Sequence, residues 1–590
     1  MKTKLATLCV LLILCSGTRA LAQGDTLIVS DATTGLRPVH LYMPHVKPVD
    51  VPLSSLGASF RNDTRLAGDA LGVFSPDKES AVAFTVFGHA DGFLTQLDLN
   101  GDGYMDEPKH LGVMLGSNWQ VDLPAGATIL FGVRGMLDNR LGGQLGADDV
   151  LPVIFARDKV RGYAKDGAWQ ACLVNRSGDG FVEVNVPFER YELNVSADYS
   201  YQWMNSTFGN ENLLPQLVNI YYGHHATAGP DPTCRIYDTG WSSALAKATF
   251  GRQDGTGLRF GVLDRLDDID EAYCDTYSSI RSMLNDLGAF ADWSYSSGAL
   301  DLTAGARADW FNRGGFKWAP VFKAAWTPGA VSVRAEAGRD YRYTFTLLEH
   351  MGALATGKAI DGIDILTHPV EDAWSYGAGA KLNLGGSGSN YLTLDLHRRS
   401  YIEQVYLDYD RTPGRIAFVL LSEMENGRSF VNDVKLGLHS EPLRGMKLDL
   451  LGTYTDARQT FEGRGLLEKP LVPRWSGRLD LNYAPGKGKW VFEVGTDVKG
   501  PCRVWDFMNG KGIYDGGRTP VYALLSARIT KKFKGYEFFI AGDNLTGYTQ
   551  PEFLINGKHP FSRDFDASCL WAPVTGRKVY AGFKMNMKFM

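Results

Sequence analysis

The chain has 590 residues, 44% of them apolar and 12% aromatic, enough for one large apolar-faced structure or for several domains. Its 61 basic and 66 acidic residues nearly cancel, to a net charge of -5, which removes the basic excess expected of a nucleic-acid binder. Beyond the first residues no window offers ~18 apolar residues without charge, which excludes a transmembrane helix.

Lys2 and Lys4 precede an apolar run from Leu5 to Leu14, and Ala20-Leu21-Ala22 has the small-x-small pattern of a cleavage site. Residues 1–22 therefore read as a secretory signal, too short to span a bilayer. Leu14 stands before Cys15, where a lipoprotein signal needs a small residue. Residues 23–50 follow as a short N-terminal segment, and residues 51–590 carry a dominant signal of period two. In Leu300 to Trp310, Leu300, Leu302, Ala304, Ala306, Ala308 and Trp310 alternate with Asp301, Thr303, Gly305, Arg307 and Asp309. The stretches from Met446 to Tyr454, Gly477 to Tyr483, Val521 to Ile529 and Lys578 to Phe589 alternate in the same way. Each reads as a strand with one apolar and one polar face.

Two structures use such strands: a soluble sandwich, whose apolar faces meet, and a membrane barrel, whose apolar face meets lipid and whose polar face lines a wet interior. Connection lengths favour the barrel. Very short turns (296–298, 441–445, 485–489, 531–535) alternate with long polar connections (223–239, 412–428, 500–519), as periplasmic turns alternate with extracellular loops. Tyr454, Tyr483, Trp490, Tyr522 and Trp571 lie near strand ends, where interfacial girdles belong. The expected fold is all-β: a transmembrane antiparallel β-barrel of about 22 strands. Of the cysteines beyond the signal, Cys172, Cys234, Cys274, Cys502 and Cys569, none forms a CxxC; a Cys234–Cys274 disulfide stays open.

Several stretches, in order, resemble TonB-dependent outer-membrane receptors of the type common in Bacteroidota. Gly338-Arg339-Asp340-Tyr341-Arg342 and Leu348-Glu349-His350-Met351-Gly352 are similar to the mid-barrel arginine motif and the stretch after it. Tyr401-Ile402-Glu403-Gln404-Val405, Asn426-Gly427-Arg428-Ser429 and Glu468-Lys469-Pro470-Leu471 resemble later strands and loops. Asp543-Asn544-Leu545, Trp571 to Arg577 and the final strand resemble the C-terminal part. The resemblance implies an outer-membrane receptor, not an enzyme, that takes up a scarce nutrient of the ferric siderophore, haem or cobalamin class, with TonB and membrane lipid as partners. It also implies a globular plug ahead of the first strand. Residues 23–50 are too few for one, so the plug is expected to be deleted, supplied by another chain or absent. Thr26, Leu27, Ile28, Val29 and Ser30 resemble the TonB box, which pairs with TonB by strand addition. A passive porin-like channel and a surface binding or adhesin barrel are the alternative functions.

Candidate sites are few, and no catalytic constellation or resident cofactor is expected. Asp98, Asn100, Asp102, Tyr104 and Asp106 follow the start of a calcium loop, with oxygen ligands at alternate positions and Gly103 at the sixth. Position twelve is Lys109 rather than Glu, for which Glu107 could substitute; the other reading is a tight turn with solvated carboxylates. Asp264, Asp267, Asp268, Asp270 and Glu271 read as a solvated extracellular loop or as partners of a cation or an arginine. His224 and His225, and more weakly His40 and His45, are candidates for haem or metal contact. Arg339 and Arg342 are candidates for an anionic ligand or plug contact, against structural pairing in the lumen.

Overall fold

A strand with one apolar and one polar face still presents unpaired backbone groups along both edges, so it needs a neighbour on each side. The computed structural model describes residues 43–51, 54–62, 64–74, 81–145, 168–210, 234–273, 278–344, 346–362, 370–385, 389–509 and 514–587. Among these, 22 antiparallel strands form one closed sheet. Successive strands pair with their chain neighbours, and the first, Ser54–Arg61, pairs with the last, Lys578–Met587, from Ser54 opposite Met587 to Arg61 opposite Tyr580. A short extra strand, Gly465–Glu468, hooks back onto Met446–Phe461. Among the described residues no helix is long and apolar enough to cross a membrane.

Alternation sorts the side chains. In the strand Gly257–Tyr273, Leu258, Phe260, Val262 and Leu266 are exposed on the outer face, whereas Leu263, Arg265, Asp267 and Ile269 are buried on the inner face. Exposed aromatics gather towards the two rims. Trp293, Tyr295 and Trp326 lie near the short turns at 298–299 and 327–330, and Trp310, Phe316 and Trp318 lie near the opposite end. Trp571 departs from its expected place in such a band. It lies in the loop after Asp543, packed against Tyr514, Tyr522 and Tyr548.

The acidic run from Asp264 to Glu271 is strand, not a solvated loop. Leu263, Leu266 and Ile269 between the charges keep the segment in the wall, and period two sends the carboxylates both ways. Asp267 turns inward to Arg265 at 2.9 Å and accepts from the Ser243 hydroxyl, and Glu271 accepts from the Tyr237 hydroxyl. Asp264 and Asp268 turn outward, to Asn285 at 2.7 Å and Arg281 at 3.2 Å. The wall is uneven in height. The five strands between Gln170 and Ser297 have 17 to 20 residues, whereas Tyr522–Lys532 and Tyr536–Asp543 have 11 and 8.

Turns are short at one end of the barrel, and most connections at the other are long. An exception at that second end is 312–314, a tight turn between Leu300–Phe311 and Gly315–Trp326. The described parts of the long connections 344–369, 404–428, 462–474, 500–521 and 544–577 do not hang free. Val405–Asp408 pairs antiparallel with Arg415–Leu420, which also pairs parallel with Ala359–Asp361. Around this small sheet Tyr406, Tyr409, Ile416, Phe418, Leu421, Phe461, Val504, Trp505, Met508 and Cys569 form one buried cluster, a head with its own core. Lys358 and Asp566 form an ion pair inside it, and the Lys358 ammonium lies 4.0 Å from the Phe507 ring centroid. Deleting a buried aromatic leaves a cavity, so Phe418→Ala is expected to destabilise the head by about 3–5 kcal/mol. Hydrogen exchange should show amides 405–420 opening sooner while the barrel strands keep their protection.

Candidate functional site

The inner face is where chemistry accumulates. A cavity of about 1160 Å³ runs along the first strands and those from Tyr391 onward. Arg61, Arg65, Lys447, Arg478, Arg528 and Lys578 line it together with Asp69, Asp91, Glu107, Asp449, Asp480, Glu493 and Asp543. Six lysines and arginines against seven carboxylates give this cavity no strong field of either sign. The charges also engage one another. Glu107 meets Arg61 at 2.8 Å and Lys578 at 2.9 Å, and His110 bridges Asp91 and Asp138 at 3.0 Å on each side. Across the barrel Arg307, 2% exposed, meets Asp309 at 2.7 Å and Asp286 at 3.2 Å.

A second network joins the wall to the head. Arg342 donates to both Glu349 carboxylate oxygens, at 2.6 and 2.9 Å, and approaches Glu371 at 3.6 Å. Arg399 meets Asp340 at 2.9 Å and Glu371 at 3.7 Å. Lys469 donates to Gln404 Oε1 at 3.3 Å and lies 4.8 Å from the Tyr401 ring centroid, while the Ser429 hydroxyl donates to the same Gln404 oxygen at 2.7 Å. Lys469 belongs to the loop after Glu468; burial there outweighs the attraction of Glu371 and lowers its ammonium to about 8. The stretches singled out around Arg339, Glu349, Tyr401, Ser429 and Lys469 thus meet in space although they span more than a hundred positions. Their arrangement is a clamp: bidentate arginine–carboxylate pairs fix orientation as well as charge.

A family of proteins described as TonB dependent receptor-like β-barrels matches residues 119–545. The chain belongs to this family of TonB-dependent receptors. No curated protein sequence matches it significantly. Solved receptor structures do resemble it in fold. The ferripyoverdine receptor of the Pseudomonas aeruginosa outer membrane, bound to ferripyoverdine, is 11% identical with a TM-score of 0.63 over 91% of this chain and 72% of that one. The siderophore receptor PiuA from Acinetobacter baumannii is 11% identical, TM-score 0.59, over 91% and 82%. A mutant of the ferric enterobactin receptor PfeA from P. aeruginosa is 11% identical, TM-score 0.61, over 90% and 80%. The family consists of outer-membrane receptors and transporters, not enzymes.

Within this TonB-dependent receptor barrel the sequence-predicted residues separate. Arg339 and Arg342 are both occupied: Arg339 grips Asp372 at 2.8 and 2.6 Å, and Arg342 is held as above, so each guanidinium is already neutralised by a carboxylate. Asp98, Asn100, Asp102, Tyr104 and Asp106 form a compact loop between Val82–Phe93 and Lys109–Asp122. Glu107 does not stand in for the missing twelfth ligand, because Arg61, Arg65 and Lys578 hold it on the luminal side. Thr26, Leu27, Ile28, Val29 and Ser30, and His40, His224, His225 and Cys274, lie outside the described residues.

One feature of the receptor has no signature in the sequence. Residues 43–51, ahead of the first strand, run along the inner wall, where Met43 packs with Phe87, Met114, Leu130 and Phe181. His45 stacks on Phe181 at 3.9 Å, meets Asp198 at 2.7 Å and pairs with Glu183 through its other nitrogen. Burial works against its charge, but the hydrogen bonds to Asp198 and Glu183 prevail and raise the imidazole to about 9. A raised pKa in the folded state means that the clamp contributes fully below about pH 6.5 and is lost as pH rises through about 9. A spin label on Lys47→Cys is expected to stay immobile at neutral pH and to gain mobility between about pH 7 and 9. His45→Gln should remove that pH dependence.

Proposed function

We propose that this receptor sits in the outer membrane of a Gram-negative bacterium with lipid against its apolar outer face, captures a scarce nutrient at the loop head and passes it inward in partnership with TonB. The observation that carries the reading is a folded head of long loops over one mouth of a closed barrel, with a charged lumen leading away from it. The similar barrels named above are siderophore receptors, which supports ranking ferric siderophores ahead of haem and cobalamin as the cargo class. The neutral balance of the lumen fits a bulky, chelated cargo better than a simple ion, because no single sign of charge guides the path.

Residues 43–51 do not amount to the plug of such receptors, and we infer that a separate chain supplies one. A second reading, a passive channel, draws support from the luminal ion pairs. Glu107, Asp91 and Asp138 already find partners within the wall, as they would in a lumen filled with water.

Uptake and conductance separate these readings. A strain lacking the receptor should lose growth on one ferric siderophore as sole iron source, and recover it only when both this chain and TonB are present. TonB-independent recovery with a large steady conductance in planar bilayers would favour the channel. The lipid placement has its own test. Val262 projects from the outer face in the middle of the apolar stretch between Leu258 and Leu266. Val262→Arg is expected to cost about 2–4 kcal/mol in equilibrium unfolding from lipid vesicles.

A further inference from the structure

We propose that the loop from Asp98 to Asp106 is a calcium site that ties one long connection of the receptor to its neighbours at the head. The backbone is already wound for it. Gly101 and Gly103 take φ of +74° and +85°, conformations that favour glycine and fold the loop into a tight turn. Asp98 Oδ1 accepts from the Gly101 and Asp102 amides at 2.7 and 3.1 Å, and its Oδ2 accepts from Gly103 at 2.9 Å. Asn100 Oδ1 accepts from Asp102 at 2.9 Å, and Asp102 Oδ1 accepts from Tyr104 at 2.8 Å. A wound loop alone does not require an ion, since the same bonds close a simple turn.

Asp106 supplies the independent observation. It is 5% exposed, and its Oδ2 accepts from the Leu99 amide at 2.7 Å, which holds the carboxylate beneath the loop. Its Oδ1 is buried without a hydrogen-bond partner. Among the described residues no lysine, arginine or histidine forms an ion pair with Asp98, Asp102 or Asp106, whereas the carboxylates Glu107, Asp91 and Asp138 nearby are all paired. Three like charges in nine residues, one of them buried with an orphaned oxygen, are what a cation relieves.

The donors define the ion. Asp98, Asn100 and Asp102 offer side-chain oxygens, Tyr104 its carbonyl, and Asp106 occupies the ninth position, from which a ligand acts directly or through water. All are oxygens on an irregular loop, which suits the six to eight ligands of Ca²⁺ better than the strict octahedron of Mg²⁺. No three His, Cys, Asp or Glu side chains among the described residues already converge on a metal position, so binding requires the exposed Asp98 and Asp102 side chains to turn inward towards Asp106. With Glu107 committed to the lumen and Lys109 at the twelfth position, water completes the shell, which predicts modest affinity.

The loop is well placed to transmit order. Tyr104 is buried, its hydroxyl donates to the Gly557 carbonyl at 2.7 Å, and its ring lies 6.4 Å from Trp169, which packs on Phe565. Leu145 N donates to Gly103 O at 2.9 Å, and Met105 N to Gly143 O at 2.8 Å. An ion at this loop therefore stiffens the seam with the connections that begin at 144 and 544.

Calorimetric titration of the full chain in detergent with CaCl₂ tests the site. One saturable binding event with a Kd of about 0.1–1 mM is expected, the range of extracellular calcium modules. Asp102→Asn, which keeps the Oδ1 acceptor for the Tyr104 amide and removes the charge, should weaken it at least about tenfold, and Glu423→Gln elsewhere on the head should leave it unchanged. A second readout guards against misfolding. Asp106→Asn removes a buried charge, so it should slow proteolysis of residues 94–108 without calcium and abolish further protection by calcium. No saturable binding, equal affinity in Asp102→Asn, or calcium protection that persists in Asp106→Asn would each overturn the assignment.

Discussion

Everything in this molecule depends on closing the backbone hydrogen bonds of the wall. A strand is made by pairing, and an open sheet ends in two rows of unmet amides and carbonyls. Here the register that joins Ser54 to Met587 and Arg61 to Tyr580 removes both rows at once. In hydrocarbon, where no water can substitute, that closure separates a stable wall from one that cannot exist. It also fixes orientation: once the cylinder shuts, every second side chain faces out and cannot be reassigned without slipping a strand by one residue.

That division explains why the inner face tolerates so many ionised groups. Their cost is desolvation, and it is met locally, by a partner on the same or an adjacent strand. Arg307 with Asp309 and Arg339 with Asp372 are of this kind, and Arg399 reaches Asp340 across one intervening strand. Such pairs are weak evidence for stability in themselves, because bringing the charges together offsets the desolvation they suffer. Their value lies in geometry. They hold strand ends in fixed relation where Arg342 and Glu371 meet the base of the head.

The wall was legible in the sequence, and the interior was not. Alternation in Leu300 to Trp310 or Met446 to Tyr454 announces a two-faced strand, because period two is local and survives any context. The pairing of His45 with Asp198, or of Lys358 with Asp566, joins residues 153 and 208 positions apart, and no local pattern marks either end. The acidic run at Asp264 misled for a related reason. Charge density suggests solvent, yet the intervening Leu263, Leu266 and Ile269 carry the stronger instruction. Trp571 resembles an interfacial aromatic by composition and is instead a head residue, since loops that fold upon one another need apolar material too. The stretches around Arg342, Tyr401 and Lys469 pointed correctly to the family but not to their shared location, which only the closed sheet creates.

The uneven height of the wall has a consequence for traffic. Met204, Tyr237 and Tyr273 project from the tall strands, and Tyr406, Trp505 and Cys569 come from loops on other parts of the rim, yet all belong to one hydrophobic cluster. Among the described residues, packed core thus spans the mouth. Displacing any one of these loops would expose the apolar surface that it now buries against the others.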